Sequence, residues 1–272
     1  VSDSTNLPNI QYALRAARDN GNTSTTGVRV GQNIETANAI PFAGKTVTVS
    51  FYARAGANYS AASSALVVNL NSGTGTDQNW LNGYTGDAAV INTNVTLTTT
   101  WQRFSVSGTV AGTAKELFAF FGHIPVGTAG ANDWFEITGI QIDNGLTALP
   151  YAKSGGTIQG ELAACQRYYE RWSLETSNMA FAGFNASTTN GYHTWHFHTK
   201  KRSEPTISVN AAGDFSVRTP GGNITCTAFS TIGTTTDGAW LSTTVASGLG
   251  SGNGNFLVNS GVGSFIQASS EL

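Results

Sequence analysis

Ionisable residues are scarce in this chain. Only 11% of its 272 residues are Asp, Glu, Lys or Arg, well under the roughly one-quarter usual for globular chains. The 14 basic and 16 acidic residues leave a net charge of −2. No basic patch exists to neutralise phosphates, which argues against a nucleic-acid partner. Long surface helices are disfavoured too, because they live on Glu and Lys. Cysteine occurs only at Cys165 and Cys226, with no Cys-x-x-Cys pair, which excludes a zinc ribbon or a redox couple. A disulfide between the two is one reading; two buried free thiols is the preferred one. No window approaches the ~20 apolar residues needed to span a bilayer, so membrane insertion is not expected. No basic-then-apolar leader opens the chain, and its first residue is Val1 in place of Met, which is read as the mark of a fragment or a processed product. No fixed period recurs, which excludes a solenoid. The Gly-x-Ser-x-Gly elbow, the His-Glu-x-x-His motif, the P-loop and the dinucleotide fingerprint are all missing, so neither catalysis nor a cofactor is expected.

What the chain has in quantity is glycine, 32 residues, together with Ser, Thr and Asn. Such a chain stays soluble through hydroxyls and amides. Thr, Val, Phe and Tyr favour strands, so composition predicts an all-β protein. The pattern agrees. Val47, Val49, Phe51 and Ala53 alternate with Thr46, Thr48, Ser50 and Tyr52, the period of a half-buried strand. Leu66, Val68 and Leu70 repeat it, and 117–123 is apolar enough for a central strand. Further strands are expected at 10–18, 28–35, 101–106 and 133–142, the last with a β-bulge at Thr138-Gly139 where alternation slips. Residues 71–94 read as one long loop. In the second half, strands are expected at 192–198, 206–209, 215–218, 224–229, 239–245, 255–258 and 264–268. Their spacing, with turn signals between, argues an antiparallel sandwich in the first half.

One window past residue 40 reads as helix, 161–172. Its Leu162, Cys165, Tyr169 and Trp172 fall at spacings of three and four. The Ser154-Gly155-Gly156-Thr157 run before it is linker punctuation. The predicted organisation is a β-sandwich at 1–152, a linker and short helix at 153–172 and a smaller antiparallel β domain, also a sandwich, at 173–272. The helix would pack its aromatic face at the seam; the alternative is a surface helix within one large β domain.

Several phrases resemble a known family. Gln32-Asn33-Ile34-Glu35, 49–55, Trp101-Gln102-Arg103-Phe104 and 135–142 resemble the jelly roll of bacteriophage tail fibres, a module that in turn looks like a carbohydrate-binding module. Cys165-Gln166-Arg167-Tyr168-Tyr169, Pro205-Thr206 and Ser269-Ser270-Glu271-Leu272 are similar to the companion C-terminal domain of phage tail-fibre and head-fibre proteins. The resemblance implies a jelly roll followed by a fibre domain, in a virion surface protein that touches the host envelope, commonly as a homotrimer with other virion proteins as partners. No heptad run supports the trimer by itself. Carbohydrate-binding jelly rolls often hold calcium on paired acids near their last strand. Here that stretch offers Thr138-Gly139, with Asp143 further on, which puts such a calcium in doubt.

Sugar binding needs aromatic faces to stack on pyranose rings and amides or carboxylates to read hydroxyls. The loop residues Asp77, Gln78, Asn79, Trp80, Asn82 and Tyr84 supply both, and they are the candidate glycan site. The bland alternative is that Trp80 and Tyr84 cap the sandwich edge. Trp101 and Trp134 are expected in the core, and His123 as a hydrogen-bonded, semi-buried residue. His196 and His198 lie two apart on an expected strand, so their rings would share a face; across a threefold axis they could collect a transition metal, or stand as polar residues on an exposed strand. A glycosidase would need two opposed carboxylates, and nothing marks Glu116 with Glu136 or Asp133 as such a pair. The expected function is host attachment from a virion tail fibre through a cell-surface glycan or polysaccharide. The alternative is a capsid head fibre or decoration protein with a structural role.

Overall fold

The computed structural model describes residues 2–3, 7–174, 180–259 and 263–272. Two compact units divide the chain, Val1–Ala152 and Lys153–Glu271. In the first, nine strands run in order: β1 (Ser2–Asp3), β2 (Tyr12–Ala17), β3 (Val28–Ile34), β4 (Thr46–Ala55), β5 (Ala65–Gly73), β6 (Ala88–Thr96), β7 (Gln102–Thr109), β8 (Glu116–His123) and β9 (Trp134–Asn144). One short helix, α1 (Thr36–Ala39), follows β3. The strands form two antiparallel sheets, ordered β1-β2-β9-β4-β7 and β3-β8-β5-β6. Except at the β5–β6 hairpin, each step from β2 to β9 crosses from one sheet to the other. That is the winding of a jelly roll, two Greek keys wrapped as a pair of sheets.

The core lies between the sheets. Val47, Val49, Phe51 and Ala53 of β4 face Leu66, Val68 and Leu70 of β5, with Leu117 and Phe121 of β8 between. All are essentially sealed from solvent, and burial of each larger side chain contributes about 1.5–3 kcal/mol. The expected bulge is present. Ser50 pairs with Gln141 and Tyr52 with Thr138, so Gly139 and Ile140 share the place of one residue. Gly139 takes φ +58° to make that kink, a conformation open to glycine at little cost. The 71–94 stretch is not one loop: β5 runs on to Gly73, and β6 occupies its second half. Trp101 and Trp134 are not core residues either. Both are half-buried beneath guanidinium groups, Arg54 lying 4.8 Å from the Trp101 ring and Arg15 4.2 Å from the Trp134 ring.

The second unit begins with α2 (Ile158–Gln166), capped by Thr157, whose hydroxyl accepts from Gly160 N at 3.1 Å. Then come β10 (Tyr169–Leu174), β11 (Ala180–Asn185), β12 (Asn190–His196), β13 (Thr206–Val209), β14 (Phe215–Thr219), β15 (Gly222–Thr234), β16 (Gly238–Val245), β17 (Gly254–Asn259) and β18 (Ser264–Ser269). The expected helix to Trp172 stops at Gln166. Aromatic residues that fit a helical stripe also fit a strand, and pairing of Tyr169 with Ser269 through Leu174 with Ser264 decides the matter. No residue of α2 is buried, so it packs no aromatic face at all. The unit is not a sandwich. Six strands close into a barrel, β11-β12-β16-β15-β14-β17, and three form a separate sheet, β10-β18-β13. Trp195, Phe215, Leu241 and Leu257 fill its core, together with Ile266 from β18.

Charges are few, and most of the buried ones are paired. Asp133 meets Arg18 at 2.9 Å, Glu136 is held between Arg15 and Arg54 at 2.6 Å each, and Glu170 meets Lys201 at 2.6 Å. Removing one member of such a pair strands the other in a dry interior.

Candidate functional site

The jelly-roll sheet β3-β8-β5-β6 has a second apolar face. Strand β8 buries Leu117, Ala119 and Phe121 in the core, and the alternate residues Phe118 and Phe120 point to the opposite side. There they form a small aromatic bed. Their rings are 5.8 Å apart. Gly31 lies across from Phe120 on β3, and a Cβ at Gly31 would fall 2.6 Å from the Phe118 ring, so the bed needs a bare backbone beside it. The Arg29 guanidinium sits 5.5 Å over Phe120. On the other flank the register aligns Phe120 with Asn69 of β5 and Asn69 with Asn92 of β6. Asn94, one step along, pairs with Val67. Asn92 and Asn94 are exposed. The side-chain oxygens of Asn69 and Asn71 are buried with no hydrogen-bond donor among the described residues, a costly state that marks a position where a donor is wanted.

The candidate loop folds over one end of this bed. Trp80 stacks on Phe118, ring centroids 4.8 Å apart and planes 10° off parallel, and stays half-buried. Its indole N–H donates to Asp87 at 3.2 Å, and Asn71 donates to the same carboxylate oxygen at 2.7 Å. Asn79 caps the short turn at Trp80–Asn82 by accepting from Leu81 N at 2.9 Å. Trp80 N in turn donates to Asn33 Oδ1 at 3.0 Å. Gln78 and Thr85 are tied reciprocally, Thr85 N to Gln78 Oε1 at 2.8 Å and Gln78 Nε2 to Thr85 Oγ1 at 3.1 Å. Gln78 N also donates to Glu116. Asp77 and Thr36 form a similar reciprocal pair at 2.8 and 2.9 Å. Asn82 is exposed.

Tyr84 has to be moved from ligand contact to scaffold. It is 7% exposed, and its hydroxyl donates to Leu117 O at 3.0 Å. Burial pushes its phenol well above the usual range, and the Glu116 and Asp87 carboxylates add to the rise. The loop therefore holds Trp80 in one place over a bed that is itself buried, Phe118 6% and Phe120 8% exposed, so the half-buried Trp80 ring is the aromatic surface left open; the sequence reading missed the bed that fixes it. The available signal was the apolar run itself. An antiparallel sandwich strand that is apolar on both faces has its outer face covered or in use.

The two histidines are not a strand pair. β12 ends at His196, which is exposed. His198 lies beyond it, stacked on Trp172 at 5.0 Å with its Nδ1 2.7 Å from Glu170 Oε1. Among the described residues no cluster of three or more potential metal ligands occurs. Glu170 also accepts from Trp172 Nε1 at 3.2 Å, and Lys201 donates both to it and to Gln166 O at 2.7 Å. These bonds hold the Glu170 carboxyl below its ordinary range against the opposing and larger effect of burial as a single cause. The carboxylates Glu116, Asp133 and Glu136 are all buried, so none lines an open cleft. Asp143 is taken up by the Gln141 amide at 2.9 Å and by Leu149 N at 3.0 Å. His123 is fully buried against Tyr59 and Phe135, its Nε2 4.0 Å from Asp133, and among the described residues its ring makes no hydrogen bond, contrary to expectation; burial lowers its pKa. Both cysteines are free, but Cys165 is exposed and only Cys226 is buried.

Fold and site together define a jelly roll with an aromatic, amide-flanked sheet face, followed by a closed β-barrel. No protein-family model and no curated protein matches the chain. Similar solved structures are carbohydrate-binding modules. A CBM4 structure has a TM-score of 0.34 and 19% identity over 48% of this chain and 70% of that one. The tandem CBM22 modules of Paenibacillus barcinonensis xylanase 10C give 0.31 and 15% over 96% and 87%. A CBM22–GH10 structure of Clostridium thermocellum xylanase 10B, complexed with xylohexaose, gives 0.26 and 14% over 53% of this chain and 26% of that one. Likenesses at these scores carry no argument here; the architecture rests on the strand order above.

Proposed function

We propose that this protein is a non-catalytic, glycan-binding component of a bacteriophage fibre that attaches the virion to its host cell. The observation that carries the binding half is the solvent-side face of β3-β8-β5-β6. It offers Trp80 stacked on Phe118, flanked by the amides of Asn69, Asn92 and Asn94. Apolar C–H faces of a pyranose suit the aromatic side, and its hydroxyls suit the amides. The sparse charge suits a neutral polymer. The virion setting, the partner virion proteins and the homotrimer rest on the family-like phrases. Three of those phrases are neighbours in space: β18 pairs Ser269 with Tyr169 on one side and with Thr206 on the other, so they act as one local unit. A single shallow site binds weakly, and linked copies raise avidity by about 10²–10⁴.

A glycan array and a whole-cell binding assay test this. Trp80→Ala is expected to weaken binding by about tenfold, the equivalent of ~1.4 kcal/mol. Asn92→Ala with Asn94→Ala, on exposed positions that leave the fold intact, is expected to weaken it several-fold. Absence of glycan and cell binding by the native protein, or undiminished binding by both variants, would sink the reading. Gold-labelled antibody on whole virions separates the settings, tail labelling agreeing with attachment and capsid labelling with a decoration role.

A further inference from the structure

The barrel unit carries a pocket that the reading above does not use. It has a volume of about 390 Å³ and lies on the outer side of β12, β16 and β15, lined by Trp240, His196, Thr194, Thr234 and Asp237. The register explains why it is there. Thr194 of β12 sits opposite Trp240 of β16, and Trp240 sits opposite Gly233 of β15. One step along, His196 faces Gly238. Two places that would otherwise hold side chains beside the indole and the imidazole are therefore bare. The ladder between β15 and β16 also slips between Thr231 and Gly233, and a bulge there bends the strand.

The walls are of two kinds. Trp240 is 44% exposed, unusual for the largest apolar side chain. Its ring is fixed from one side by Tyr192, edge-on at 5.4 Å, and Tyr192 is fixed likewise by Phe184 at 5.7 Å. Thr194 and His196 are exposed, and their side chains make no hydrogen bond among the described residues. Asp237 is exposed; its Oδ2 accepts from Thr236 Oγ1 at 3.1 Å and lies 3.6 Å from Lys200, which leaves Oδ1 for a ligand. A held aromatic face beside an open hydroxyl, an imidazole and a carboxylate matches a small neutral polyol ring: stacking on one side, hydroxyl recognition on the other. The volume lies at the low end of ligand pockets, about 300–1,000 Å³, which fits one sugar ring and not a chain.

We propose that this pocket is a second, independent saccharide site, in which Trp240 stacks on the ring and Thr194, His196 and Asp237 bond its hydroxyls. It does not rest on the jelly-roll site. The test is saturation-transfer NMR on the full chain with glucose, galactose and N-acetylglucosamine as probes, run on the wild type, on Trp80→Ala, and on Trp80→Ala combined with Trp240→Ala or with Gly233→Val. Gly233→Val is the informative variant. A Cβ there meets nothing within 4 Å and the backbone is not left-handed, so valine intrudes into the pocket without straining the strand. Transfer to the ring protons of at least one probe is expected in the wild type and in Trp80→Ala. A drop of roughly tenfold is expected when Trp240→Ala or Gly233→Val is added to Trp80→Ala, a background in which the jelly-roll site contributes little. Absence of transfer to all three probes, or transfer unchanged by both barrel variants, would overturn the proposal. Loss in Trp80→Ala alone would overturn it as well, by assigning the signal to the other unit.

Discussion

His193 sits at the centre of the barrel unit with a side chain sealed from water. Its Nε2 is hydrogen-bonded to Thr243 Oγ1 at 2.9 Å, and burial drives its pKa from 6.5 down to about 4. The folded protein thus keeps this imidazole neutral where the unfolded chain would protonate it. Between pH 6.5 and about 4 the unfolded state binds the extra proton, so stability is complete above 6.5 and declines as pH falls through that window. Full expression of the effect would be about 3 kcal/mol. Thermal melts from pH 7.5 to 4.5 are expected to show the midpoint falling on acidification, and His193→Gln is expected to flatten that fall. Glu170 acts in a lower range. Its depressed carboxyl lends stability above the ordinary carboxylate pKa and loses it only as pH drops below that, so the two residues are separable by pH. Single-residue inwardness was legible for most of these positions: His193 and Trp195 alternate with Tyr192 and Thr194 in the sequence as they do in the strand. The partners were not, because Thr243 is fifty positions away and only the β12–β16 register brings it across.

Among the elements, the alternations of β4 and β5 were readable because one face carries Val, Phe and Leu and the other mostly Thr, Ser and Asn. β6 was not. It is an edge strand, and only Ile91 and the half-buried Val90 and Val95 set it apart from a polar loop. The α2–β10 boundary was misread for a different reason. Tyr169 and Trp172 satisfy a helical spacing, yet Glu170 and Trp172 also satisfy a strand spacing, and aromatic side chains gain more on a paired strand. The bulge in β9 was legible, since a glycine at a slip in alternation has few other uses. There we expect Gly139→Ala to lower the stability of the jelly roll by about 1–3 kcal/mol, the cost of a left-handed backbone for alanine. Its new methyl would also press on Ile10 Cδ1, 2.5 Å away. A urea titration that gives equal midpoints for variant and parent would refute this. The candidate loop was found in the sequence because Trp, Tyr and amides crowd together there. Its aromatic bed was missed because Phe118 and Phe120 looked like core, and their outward direction is a property of the sandwich.

For the whole molecule, the scarcity of charge makes a prediction about binding. The pairs Arg18–Asp133, Arg54–Glu136 and Lys201–Glu170 consume cations in the interior, and net charge is −2. A ligand held by stacking and hydroxyl contacts releases no condensed counterions. Glycan affinity is therefore expected to change by less than about twofold between 0.05 and 0.5 M NaCl, whereas phosphate-directed binding would fall by orders of magnitude over that span. Isothermal titration at the two salt concentrations measures it, and a steep salt slope would point to an anionic ligand.

Closure of the barrel has a consequence for association between copies. A ring of six strands leaves no row of idle amides and carbonyls on which a neighbour's strand might continue. Among the described residues of this unit, the three-strand sheet with β10 and β13 outermost keeps backbone of that kind. Copies that meet through this unit therefore join either side chain to side chain or along those two borders, so any continuation of a sheet from one copy to the next is confined to β10 and β13.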